Sequence, residues 1–219
     1  MGRQEAFNRS GLSKFLNSVA GRIFRLASGT AFVAAGYLYR DHPIGLLSVA
    51  WGALAGYGGY GSEPVYYDYG TTTVYEGDSV YVNGDNLATQ EQYATQATQI
   101  AAAAETASPP KANEVLPLGV HGMVQGDEKT ATQFVQLAIN KQGIISGEYY
   151  NGTTDQTEKL AGAVDKQTQR AAWTVANRKN IVYETGLANL TKDETTMLIH
   201  YGKDKTQQWI LVRIPEPQK

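Results

Sequence analysis

Residues 132–151 read TQFVQLAINKQGIISGEYYN, and they decide the fold. Val135, Leu137 and Ile139 share one side of an extended chain, while Phe134, Gln136 and Ala138 share the other. A period of two is the signature of a strand. Asn140-Lys141-Gln142-Gly143 then interrupts it, and a second strand-like run begins at Ile144. A connection this short joins antiparallel neighbours, because a parallel pair needs a long crossover.

The same rhythm continues on both sides. Strands are expected at 115–125, 132–140, 144–151, 159–165, 170–176, 181–190, 195–201 and 207–214, separated by turns rich in Gly, Asn, Asp and Lys. Eight strands in sequence leave two raw edges unless the first pairs with the last, and closure removes those edges. The expected fold is therefore mainly β: a C-terminal eight-stranded antiparallel up-and-down β-barrel, an avidin- or lipocalin-like meander. A sandwich, or an open meander capped by a helix, is the alternative.

Upstream of residue 115 the chain changes character. Residues 1–62 carry six basic and two acidic side chains, residues 63–114 one basic and eight acidic, and residues 115–219 twelve and eleven. The first block is a basic, apolar, Gly/Ala-rich lead-in whose expected roles are export, membrane association or a poorly ordered segment, with membrane contact through residues 23–57. Its two apolar stretches are each about 14 residues, shorter than the roughly 20 a spanning helix needs. The second block, 63–107, reads as a Tyr-rich β-hairpin turning at Glu76-Gly77-Asp78, then an Ala-rich helix. Thr89 and Gln92 form a capping-box pattern at the start of that helix. Tyr93, Ala97, Ile100 and Ala104 give it one narrow apolar stripe for docking. A proline linker, 108–114, precedes the barrel domain at 115–219.

Composition narrows the function classes. The chain has no cysteine, so thiol chemistry, disulfides and zinc–thiolate sites are excluded. A net charge of −2 argues against nucleic acid as a partner. The three histidines, His42, His121 and His200, stand far apart in sequence, and no P-loop, HExxH, GxSxG or dinucleotide fingerprint is present. The expectation is a non-enzymatic protein with no cofactor and no metal. Aromatic and titratable residues within the strands mark the candidate ligand site: Trp173, Trp209, Tyr149, Tyr183 and Tyr201, with Glu184, His200 and Arg213. Glu184 and Arg213 are also candidates for a cross-strand ion pair.

Several stretches resemble a family of planctomycete bacterial proteins: SEPVYYDYG at 62–70, VYVNG at 80–84, AAWTV at 171–175, ETGLANLT at 184–191 and QQW at 207–209. The resemblance covers about residues 50–214, and members are labelled mu-protocadherin-like or cell-surface proteins. It implies a bacterial cell-envelope or secreted setting and carries no catalytic residues. A fainter resemblance to avidin-type barrels runs through GIISGEYY at 143–150 and WTV at 173–175, although Gly119-Val120-His121 stands where those barrels have Gly-x-Trp. The reading is a non-catalytic envelope or surface protein whose barrel is a structural and interaction module, with an unknown envelope component as partner. The alternatives are a barrel that binds a small apolar or aromatic ligand, and a hydrolase with an acidic site no motif reveals.

Overall fold

The alternating runs pair as the pattern demands. The computed structural model describes residues 49–214, except 109, 111–113, 127, 129, 130 and 177. Three strands, β1 (Thr73–Glu76), β2 (Ser79–Val82) and β3 (Asp85–Thr89), form a small antiparallel sheet. Eight more form a closed antiparallel barrel: β4 (Val115–Val124), β5 (Gln133–Asn140), β6 (Ile144–Asn151), β7 (Gln156–Val164), β8 (Arg170–Val175), β9 (Ile181–Gly186), β10 (Glu194–Tyr201) and β11 (Lys205–Arg213). Each strand pairs with its neighbour in sequence, and β11 returns to β4 with Ile210 opposite Val124 and Arg213 opposite His121.

Alternation sorts the side chains. Val135, Leu137, Ile145, Tyr149, Leu160, Trp173, Tyr183, Met197, Ile199, Trp209 and Leu211 belong to one buried cluster that fills the barrel. The Trp173 and Tyr183 rings stack at 6.2 Å with planes 8° apart, on strands in register at these two residues. Two glycines let strands approach closely. A Cβ at Gly147 would run into the carbonyl of Gln136, and one at Gly162 into the carbonyl of Ala172.

The accessory elements cover one end and one side of this body. Helix α1 (Trp51–Gly58) sets Leu54 and Ala55 against the barrel core. It stops at Gly59, whose φ of 67° suits a residue without Cβ. Lys166, in the β7–β8 turn, donates to the Gly58 carbonyl at 2.8 Å, and the Tyr57 hydroxyl donates to the Glu114 carbonyl at 2.6 Å. Residues 23–48 of the expected membrane-contact stretch lie outside the described residues, as does most of the lead-in. Among the described residues no helix is long and apolar enough to cross a membrane.

The hairpin forms as expected, with Gly77 at φ 55° in its turn. A third strand follows it, because Asn83 and Gly84 both adopt positive φ and reverse the chain again. Helix α2 (Gln90–Ala102) starts with the full capping box: Gln92 N–H donates to Thr89 Oγ1 at 3.1 Å, and Thr89 N–H to Gln92 Oε1 at 2.9 Å. Its Ala97 and Ala101 pack on Ala172 and Val182 of the outer wall. The sheet buries Val80, Ala88 and half-buried Tyr75 against Tyr93 and Leu198.

One strand is shorter than its sequence pattern. The run 181–190 ends as a strand at Gly186 and continues into a 3-10 turn, Ala188–Thr191. Asn189 is the reason: its side chain accepts from Tyr67 N–H at 2.9 Å and donates to the Tyr67 carbonyl at 2.6 Å. It thereby supplies the pairing a strand partner would otherwise give.

Candidate functional site

The closed sheet sends neighbouring residues to opposite faces, and the eight candidate residues separate accordingly. Trp173, Tyr149, Tyr183 and Trp209 lie in the interior cluster, with Tyr201 half-buried at its edge. Arg178 stands over the Tyr149 ring at 5.1 Å and pairs with Glu158, and the Tyr149 hydroxyl donates to Gln133 Oε1 at 2.9 Å. These groups surround the end of the barrel where β8 meets β9. Burial pushes the Tyr183 hydroxyl up to about 12, so the ring stays neutral. Trp173 is fully buried, which makes it part of the packing.

Glu184 and His200 come together elsewhere, on the outer wall beneath α2. His200 Nε2 meets Glu184 Oε2 at 2.8 Å, and His200 Nδ1 meets Thr206 Oγ1 at 2.8 Å. An ionised carboxylate only accepts, so Nε2 carries a proton towards Glu184, and Nδ1 faces the Thr206 hydroxyl. The other carboxylate oxygen accepts from Arg170 Nε at 2.6 Å and from the Tyr69 hydroxyl at 3.2 Å. Arg170 reaches past it to α2, donating to Gln96 Oε1 at 2.7 Å and to the Tyr93 carbonyl at 3.0 Å. Its guanidinium lies 3.6 Å from the Tyr93 ring centroid, a cation–π contact. Burial alone would raise the Glu184 pKa, but the charge of Arg170 and the hydrogen bonds from His200 and Arg170 bring it down to about 2.

The order Glu184–His200–Thr206 repeats the connectivity of an acid–base–nucleophile relay. Two features set it apart from such a relay. Arg170 already neutralises the carboxylate that a relay would use to stabilise an imidazolium. The Glu184 and His200 side chains are also only 0% and 1% exposed. The arrangement braces the helix, and the segment that leads into the sheet, against the barrel.

Arg213 does not pair with Glu184, contrary to expectation. Strand β10 separates β9 from β11, and Arg213 points inward where Glu184 points outward. Arg213 instead donates to the carbonyls of Leu118 and Leu190, with Asp193 Oδ1 3.9 Å from its Nε. It thus ties the β4 bulge and the β9–β10 connection to the seam of the barrel. Gly119, at φ 110°, leaves room for the guanidinium, which a Cβ there would strike. His121 sits beside it, wholly buried. Burial, and then the Arg213 charge, hold its pKa well below the usual imidazole range.

Sequence reasoning missed Arg170, Tyr69, Gln96 and Thr206, and placed Tyr93 only as a packing residue. Arg170, opening the apolar run Ala171-Ala172-Trp173, was the available signal, since an arginine there needs a partner. Among the described residues no three His, Asp or Glu side chains converge as metal ligands. No family model, curated protein or solved structure matches the chain.

Proposed function

We propose that the protein is a non-catalytic interaction module of a bacterial cell envelope. The barrel is its rigid body, and the sheet-and-helix unit presents the recognition surface. One observation carries this reading. All four large apolar side chains that stay exposed among the described residues lie in one short segment of the accessory unit: Val65, Tyr66, Val74 and Leu87. Val74 and Leu87 lie on the sheet itself, and apolar side chains left exposed on one such unit are what a protein contact uses. Four buried charged or titratable side chains of the barrel strands, Arg170, Glu184, His200 and Arg213, are meanwhile committed to internal braces. The envelope setting is supported by the resemblance of residues 50–214 to planctomycete surface proteins.

Fractionation of the producing bacterium, with protease shaving of intact cells, tests the setting. Intact chain confined to the cytosol and purified without a partner would overturn it. A second reading, a small-ligand barrel, is favoured by the indole N–H groups of Trp173 and Trp209, which are buried in the interior without hydrogen-bond partners. Native mass spectrometry showing a retained small molecule would support that reading.

A further inference from the structure

The two faces of the three-stranded sheet meet different surroundings. The inner one, with Tyr75, Val80 and Ala88, is packed against Tyr93 and Leu198. The outer one carries Val74 and, directly across from it, half-buried Tyr81, with Asn86 opposite Tyr81 on the next strand. Between Ala88, paired with Val80, and Asn86, paired with Tyr81, Leu87 is an extra residue in a bulge, and it is 54% exposed. A bulge re-aims a side chain, here an aliphatic one into water.

The charges of the sheet-and-helix segment itself have one sign. Between residues 63 and 110 the sequence contains no Lys, Arg or His. Glu63, Asp68, Glu76, Asp78 and Asp85 are exposed. Glu91 and Glu105, on the barrel side, are paired with Lys203 and Lys179. On the segment that leads into the sheet, Lys192 Nζ of the barrel lies 4.1 Å from the Tyr66 ring centroid.

We infer that the outer face of β1–β3, centred on Val74 and Leu87, docks a cationic peptide segment of a partner protein that carries aliphatic residues between its Lys or Arg. The inference rests on the interaction-module reading and names the partner's chemistry. Aliphatic side chains would cover Val74, Tyr81 and Leu87, and the cations would meet Glu76, Asp78 and Asp85. An anionic lipid surface or an acidic peptide would be repelled by the same carboxylates.

The test uses the full chain and a fluorescent peptide alternating lysine with valine. Binding is expected, weakening as salt rises. Leu87→Ser and Val74→Ser should each weaken it by about tenfold, and so should Glu76→Gln with Asp85→Asn. These positions are exposed, so an unchanged melting temperature separates lost binding from lost fold. No binding, equal binding by every variant, or preference for a glutamate–valine peptide would overturn the partner's chemistry and leave the module reading standing. A photo-cross-linker at Leu87 in the producing cell addresses both. An adduct on a basic peptide supports both. An adduct on an acidic peptide or a lipid overturns the inference, and no adduct overturns the module reading as well.

Discussion

Arg170 and Glu184 lie diagonally on neighbouring strands of the outer barrel wall and meet at 2.6 Å with side chains 3% and 0% exposed. Because Arg170 also holds Gln96 and the Tyr93 carbonyl, and Glu184 also holds Tyr69 and His200, this pair joins barrel, helix and the segment that leads into the sheet. Such a pair gains little over an apolar replacement, but removing one partner strands the other charge in a dry site.

Glu184→Gln and Arg170→Met are each expected to lower the unfolding free energy by about 3–5 kcal/mol. Replacing both residues by methionine should recover much of that loss. Urea unfolding of the three variants checks this, and single variants as stable as the parent would show that the pair is no brace.

Acid should unfold the protein in two stages. Glu184, at about 2 in the fold against an ordinary 4.5, contributes stability that is complete above about 4.5 and drains as pH falls towards 2. His121, also held low, contributes stability that is complete above its ordinary 6.5 and drains below it. Glu148 titrates with the opposite sign between about 7 and 4.5, so the profile is read in Glu148→Gln. With that opposing titration removed, melting temperatures from pH 8 downwards should therefore begin to fall near 6.5 and steepen below 4.5. His121→Phe should remove the first decline there, and a flat profile between 7 and 5 in that background would contradict the burial of a neutral imidazole.

Glu148 has the opposite sign. It lines a shallow groove on the outer wall with Val120, Phe134 and Tyr150, and burial, partly offset by Lys159, raises it to about 7. The folded state thus favours the protonated acid, a contribution present below the ordinary 4.5 and lost as pH rises through 7. Glu148→Gln should raise the melting temperature at pH 8 and leave it nearly unchanged at pH 4. An equal effect at both values would assign the change to packing.

Gly162→Ala should destabilise the barrel by about 1–3 kcal/mol, because its methyl group would overlap the Ala172 carbonyl and lie 2.5 Å from Trp173 Cβ. Near-ultraviolet circular dichroism should report a disturbed Trp173–Tyr183 stack. Gly56→Ala, with open space around its Cβ, is the control and should be tolerated.

Leu54→Ala tests the helix that closes one end of the barrel. Leu54 is fully buried against the barrel core, so truncation should cost about 2–5 kcal/mol. A loss below 1 kcal/mol, read from urea curves, would mean that α1 rests on the barrel without supporting it.

The barrel was legible because alternation and turn chemistry are local. Residues 133–151 declare their faces one by one, and Gly143, at φ 90°, marks the reversal. The capping box at Thr89 and the Ala97 stripe were equally plain. What alternation does not give is the partner of each outward residue, because that depends on which distant segment covers the wall. Glu184, His200 and Arg213 stood out by type, yet they were placed in one mouth with the aromatics. Their separation follows from odd and even positions: Trp173 and Tyr183 point inward, and Glu184, next to Tyr183, must point outward. Leu87 was hidden because a bulge breaks the period by one residue, and the third strand because that same bulge spoils its alternation and it opens on Asp85-Asn86, which reads as turn.

Closure at the β4–β11 seam sets the order of events in making the molecule. The first barrel strand has no partner on one side until Lys205–Arg213 has been synthesised, and the Arg213 tie to Leu118 and Leu190 comes with its last residue. During translation the nascent chain therefore carries a bare strand margin until β11 itself has left the ribosome. That interval is when chaperone protection matters most, and a ribosome stalled within β11 would release a sticky, unzipped ribbon.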